Sequence, residues 1–216
     1  CAFLFTKKSH LKIVKPWEPS TAVYKAVTAG FSASVLEFAF IILTCILNNQ
    51  IMRYGGETAL SVFGVILTCS GMFQHIYTGV GQAMQPIATT NYGAGKRKRI
   101  AYLRRISEWT VIVMGICFML TGILFPTQLI HFFVDATPEV LRAAPTIMRI
   151  YFLSFPCMGI NIWATFYFQS IMRTRTSAVL TILRGIVISS IFLYLLPIWL
   201  GINGVWWAMV LTEGIV

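Results

Sequence analysis

Four ionisable residues lie inside otherwise apolar sequence: Glu37, His75, Arg184 and Glu213. An acid held in hydrocarbon is costly unless it is protonated, paired or wet, so such a group reads first as a site that exchanges a proton or a cation. Counting from Lys25, Glu37 lies ~18 Å along a helix, close to the middle of a bilayer. Glu213 lies ~15 Å beyond Asn203, at a similar depth. Arg184 is only ~10 Å from the nearer end of its segment, shallow enough for its long side chain to reach the interface. An ion pair, a substrate contact and a structural anchor are all open for it.

The elements that must position these groups are apolar runs bounded by breakers. They predict an all-α polytopic bundle with spans at about 24–48, 59–87, 106–130, 149–172 and 177–196, and a sixth that starts near 201 and is cut at 216. Residues 59–87 carry no formal charge, and at ~1.5 Å per residue they exceed the ~30 Å hydrocarbon core. Ser61, Gly64, Thr68, Gly71, His75, Thr78, Gln82 and Gln85 recur there at steps of three and four, one seam of small and polar side chains. Such a seam serves close helix packing or lines a wet cavity. A sparser stripe, Gly30, Ser34, Glu37, Thr44 and Asn48, marks the first span. The fourth offers Ser154, Asn161, Thr165 and Gln169, bends at Pro156, and has Tyr167 among aromatics that either stack on a ligand or pack. In the fifth, Ser177, Thr181 and Arg184 share a face and Pro197 is the expected end.

The short connections carry the charge. Hydrophobic residues make up 57% of the 216 and charged ones 11%, where a soluble domain carries roughly 25% charge. Mean hydropathy is +0.75. The net charge of +10 does not point to nucleic acid, because the basic residues gather at the ends of apolar runs. Alternate sides of the predicted spans hold 13 and 3 Lys and Arg, which places the basic loop 91–105 in the cytoplasm of a multi-pass cell-membrane protein. Another connection, 49–58, contains Gly55-Gly56. Thr137 and Pro138 give a helix-start signal.

Catalysis and resident metals find no support. A phosphate loop would need Gly at 90 and a hydroxyl at 97, where the chain has Thr90 and Arg97. His10, His75 and His131 have no metal-ligand spacing, and the five cysteines form no Cys-x-x-Cys pair. Both ends stop inside apolar sequence, so the chain reads as a fragment. The expectation is no enzyme and no cofactor beyond a bound H⁺ or Na⁺.

Several segments together resemble the second six-helix half of the multidrug and toxic compound extrusion (MATE) transporters. They are Gly79-Val-Gly-Gln-Ala-Met-Gln-Pro-Ile-Ala-Thr-Thr-Asn-Tyr-Gly-Ala-Gly95 with the basic residues after it, Ala29-Gly-Phe-Ser-Ala-Ser-Val-Leu-Glu37, Tyr167-Phe-Gln-Ser170, Leu183-Arg184 and Gly201-Ile-Asn-Gly-Val-Trp206. In the first of these, Pro86, Gly93 and Gly95 form a helix-break and loop motif. The resemblance implies a transporter of two six-helix lobes that exports small organic cations in exchange for H⁺ or Na⁺, with the bilayer and an N-terminal lobe of the same polypeptide as partners. It matches Glu37 to a glutamate that takes part in cation coupling in some members. Members with a cation site in this lobe often add a tenth-helix aspartate, which is absent here; Asn161 or Ser154 supplies an oxygen without the charge. The expected coupling residues are therefore Glu37, His75, Asn161 and Glu213, and the expected cavity lining is Gln82, Thr44, Asn48, Tyr167 and Arg184. A flippase for lipid-linked saccharides and a membrane assembly subunit are the alternatives.

Overall fold

A computed structural model describes the backbone of residues 21–133 and 137–216, and the side chains of 38, 41–132 and 137–216. These side chains belong to one compact unit, Phe38–Val216, and the observations below concern it. All regular structure among the described residues is helical.

The helices are α1 (Thr21–Gly93), α2 (Arg97–Leu124), α3 (Pro126–Phe133), α4 (Pro138–Phe152), α5 (Phe155–Ser170), α6 (Thr174–Ile182), α7 (Ile188–Leu200) and α8 (Ile202–Ile215), with a π-helical segment, Leu183–Val187, joining α6 to α7. The expected loop 49–58 is almost entirely helical. Its one non-helical residue is Gly56, at φ 67° and ψ −166°, a conformation open essentially to glycine alone. The polar Asn-Asn-Gln run does not unwind because Gln50 and Ile51 are buried and hold that turn against the core.

The other boundaries also move. Pro86 does not break α1, which runs on to Gly93. There Gly95 adopts φ 67°, and its N–H and that of Lys96 donate to the carbonyls of Tyr92 (3.0 Å) and Asn91 (2.9 Å), a Schellman cap that fits the expected glycine stop. The basic loop 91–105 shrinks to a three-residue connection, since Arg97 to Arg105 already belong to α2. The third span divides at Phe125, ahead of Pro126.

The fourth span starts at Pro138. Thr137 holds the N-cap position but makes no side-chain cap bond, while Glu139 and Arg149 complement the helix dipole at the two ends. Arg149 Nε also donates to the carbonyl of Ile123 near the end of α2 (3.2 Å). The bend of 45° lies between α4 and α5, just upstream of Pro156. A proline ring clashes with the carbonyl four residues earlier, here Phe152, so the helix gives way before the proline is reached. Pro197 does not end the fifth span; the helix continues to Leu200 and stops at Gly201, φ 57°.

Three helices are long and apolar enough to cross a membrane, Ile41–Gly93, Arg97–Leu124 and Thr174–Leu200, and the bent pair α4 and α5 makes a fourth. At ~1.5 Å per residue, 53 residues from Ile41 to Gly93 measure roughly 80 Å, so the break at Gly56 separates more than one bilayer's worth of helix. Large apolar side chains cover the outside, Trp199 at 86% and Phe132 at 80% exposure among them, which suits lipid and not water.

Aromatic packing fills the interior. Phe152 and Phe155 stack at 4.5 Å across the α4–α5 break, Phe73 of α1 sets its ring edge-on to both, and Tyr77 donates its hydroxyl hydrogen to the carbonyl of Phe155 (3.1 Å). Trp163 Nε1 donates to Ser107 Oγ at 2.8 Å, joining α5 to α2. α7 and α8 form a hairpin so close that a Cβ on Gly204 would stand 2.5 Å from the carbonyl of Leu196.

Met172, just past α5, has φ 62° in a second Schellman turn, with Arg173 N–H donating to the carbonyl of Phe168 at 2.9 Å. A side chain in that conformation costs roughly 1–2 kcal/mol. Met172→Gly is therefore expected to raise the thermal midpoint of the purified protein, and Gly56→Ala, where there is open space but a glycine-only conformation, to lower it. Equal midpoints for both variants would contradict this account of the two turns.

Candidate functional site

Glu213 projects from α8 into the interior, with its side chain 4% exposed. Two groups meet its carboxylate. Arg184 Nε donates to Oε1 at 2.7 Å, and Asn161 Nδ2 donates to Oε2 at 2.8 Å and to the backbone carbonyl of Glu213 at 2.9 Å. The pair is asymmetric, because the Arg184 side chain is 23% exposed and keeps a route to solvent or headgroups.

Local backbone geometry aims Arg184. It is the second residue of the π segment, where one turn carries an extra residue, and the Ser189 hydroxyl donates back to its carbonyl. Turns of this kind interrupt α-helices where a side chain must be re-aimed. Nothing in the types or spacing of Leu183-Arg184-Gly185-Ile186-Val187 signals it.

A polar track continues from the carboxylate along α5. Thr165 Oγ1 donates to the carbonyl of Asn161, Ser177 Oγ donates to that of Thr165 (3.1 Å), Gln169 Nε2 donates to Ser177 Oγ (3.2 Å), and Gln85 Nε2 on α1 donates to Gln169 Oε1 (3.3 Å). α1, α5, α6 and α8 thus share one continuous set of polar contacts. The face that Ser177, Thr181 and Arg184 share in the sequence belongs to it.

Of the residues expected from sequence, Asn161, Arg184 and Glu213 come together. Tyr167 stacks on Trp163 at 5.2 Å within the helix packing. On α1, His75, Gln82 and Asn48 are exposed and Thr44 is partly buried, whereas the Glu213 carboxylate takes its hydrogen bonds from the π segment and α5. The side chain of Glu37 lies outside the described residues. Ser154 is buried and bonds the carbonyl of Tyr151 (2.7 Å). Among the described residues, no three His, Cys, Asp or Glu side chains converge as a metal site would require.

The α1 seam faces outward. Ser61, Gly64, Thr68, His75 and Gln82 are exposed, Gly71, Thr78 and Gln85 are half-buried, and added methyls at Gly64 and Gly71 would meet nothing within 4 Å. The opposite side, with Val62, Phe63, Ile66, Cys69 and Tyr77, is buried. From Ser61 to Gln82 the seam is therefore not a close-packed face within this unit, and at Gln85 it meets α5.

Removing one member of a buried pair strands the other, at ~3–5 kcal/mol, whereas replacing both costs far less. Arg184→Met is expected to destabilise strongly because it leaves the more buried Glu213 alone; Glu213→Gln costs less, since Arg184 can reach outward; the double variant recovers stability relative to Arg184→Met. Denaturation of the four proteins in one detergent checks this order. A double variant as unstable as the sum of the singles would rule out the pairing.

Comparison with known proteins gives this architecture a lineage. The MatE family model matches residues 23–195. No curated protein matches the chain. Among solved structures, an outward-facing multidrug resistance MATE family transporter of the MOP superfamily is similar at TM-score 0.86 and 20% identity, over 99% of this chain and 49% of its own. A MATE protein in complex with MaL6 matches at 0.86 and 19%, again over 99% and 49%. A MOP superfamily transporter from Pyrococcus furiosus, described by a reversed polarity of its binding pocket that suggests a different function, also matches at 0.86 and 19%, over 99% and 49%. The chain spans about half the length of these structures, and at such identity they share its fold. With most of its length under the family model, this helical membrane protein belongs to the MatE family.

Proposed function

We propose that the chain forms one lobe of a secondary antiporter that exports lipophilic organic cations in exchange for H⁺ or Na⁺ across the cell membrane, with the basic start of α2 on the cytoplasmic side. The observation that carries this is the outward seam of α1. Small and polar side chains from Ser61 to Gln85 extend over ~36 Å, a full bilayer's depth, on a helix whose other side is apolar core. Ser61 and Thr68 turn their hydroxyls onto carbonyls of their own helix, but the exposed His75 and Gln82 at membrane depth call for water, and a wet surface there is a wall of a translocation cavity.

Glu213 supplies the exchangeable charge for that cavity. In the ion-paired arrangement Arg184 serves as its counter-cation; a proton or Na⁺ arriving at the carboxylate replaces the guanidinium, and Asn161 keeps the oxygen aligned. Glu37 is the second acid of the proposed mechanism, with His75 on the seam, so that substrate and coupling ion compete for carboxylate charge. Gln82, Thr44, Asn48 and Tyr167 line the proposed cavity, and a second six-helix lobe of the same polypeptide closes it.

The test uses the intact transporter in proteoliposomes, measuring efflux of a fluorescent organic cation under an imposed proton or sodium gradient. Glu213→Gln is expected to cut gradient-driven efflux by about 5–150-fold, the range for a coupling free energy of ~1–3 kcal/mol, and Glu37→Gln to act in the same direction. Unchanged efflux by both variants at every pH and sodium concentration would refute the antiport reading.

A further inference from the structure

One face of α2 carries exposed aromatic and basic side chains around a cleft. Tyr102, Arg105, Ile106, Trp109, Thr110 and Val113, with Met114, line a shallow cleft of about 620 Å³. Tyr102 is 70% and Trp109 59% exposed, two large aromatics about two helical turns apart with no core to fill. Lys98 and Arg99 precede Tyr102 by four and three residues and so share its face.

The charges around the cleft are out of balance. Glu108, the acid of this helix, is engaged at 3.8 Å by Arg104, and Arg105 makes no ion pair among the described residues. Lys98 and Arg99 sit in the first turn with no acid beside them, where the helix dipole disfavours cations and rewards an anion. Beyond the cleft the same face turns wholly apolar and exposed, through Ile116, Leu120 and Leu124. From Ile106 to Leu124 that stripe measures ~27 Å, close to the depth of a hydrocarbon core. Trp and Tyr favour the boundary between headgroups and acyl chains, and their place here, between basic and apolar sections, matches it.

We propose that the cleft between Tyr102 and Trp109 binds the phosphate of an anionic phospholipid, with Arg105 as its forked donor and one acyl chain along Ile106, Val113 and Met114. Arginine's planar fork suits a phosphate's paired oxygens, and Lys98 and Arg99 add attraction for an anionic over a zwitterionic headgroup. Lipid binding at this cleft does not depend on the coupling chemistry at Glu213.

The experiment measures tryptophan quenching of the intact transporter by brominated phosphatidylglycerol and brominated phosphatidylcholine, with Trp109→Phe identifying the Trp109 component. The wild type is expected to prefer phosphatidylglycerol by about fivefold or more, a value set by single basic residues near a charged surface. Arg105→Gln should lower the ratio to what Lys98 and Arg99 supply, Arg105→Lys should keep more of it, and Arg142→Gln, at an exposed position on α4, should leave it intact. Equal quenching in the wild type, or an undiminished preference in Arg105→Gln, would overturn the proposal. Displacement of the lipid by millimolar glycerol 3-phosphate would instead assign the cleft to a soluble phosphate, and an unquenched Trp109 together with a dimeric native mass would assign it to a second copy of the chain.

Discussion

A carboxylate surrounded by helices in hydrocarbon must find its counter-charge and its hydrogen bonds within the protein, and the arrangement around Glu213 follows from that requirement. Arg184 reaches it from the π segment and Asn161 from α5, which fixes three helical elements relative to one side chain. Continuum estimates warn that a buried pair adds little net stability over apolar packing, so its presence argues for specificity of arrangement more than for strength. Here the asymmetry matters: the acid is nearly enclosed and the base is not. The pair can open from one side only.

Packing without a hydrophobic drive between helices explains the rest of the interior. In lipid, association relies on close contact and on hydrogen bonds, and the aromatic stack of Phe152 and Phe155, the Tyr77 bond to the α4–α5 break and the Trp163 bond to Ser107 supply both. Next to the bend before Pro156, the carbonyl of Phe155 accepts from the Tyr77 hydroxyl, which ties α1 to the α4–α5 break. The same principle seats α8 against α7 through the missing Cβ of Gly204.

Much of this was legible in the residues. Charge-free runs gave the helices, the cap at Gly93 and Gly95 stood where glycines follow an apolar run, and Arg184, Asn161 and Glu213 stood out because ionisable or amide groups are expensive at membrane depth. That these three would converge was not legible, since it depends on which faces of three helical elements turn inward. Pro86 and Pro197 misled for a related reason: proline removes one bond and the helix can continue when neighbouring packing holds it, while the true stops at Gly56 and Gly201 depend on positive φ. The Asn49–Thr58 stretch looked like a loop by polarity alone, and burial of Gln50 and Ile51 decided otherwise. The small and polar seam of α1 was clear as a periodicity; only the structure turns it outward.

The π segment gives the fifth span one residue more than an uninterrupted α-helix of equal length would need. Sixteen residues of regular α-helix would set Ser177 and Leu193 ~160° apart, on nearly opposite faces, yet both are buried; the wider π turn absorbs about one residue's ~100° and brings them to one side. Deleting one residue from 183 to 187 would leave those two faces aligned and remove the turn that aims Arg184. Shortening at this place spares the packing on either side and falls on the ion pair alone.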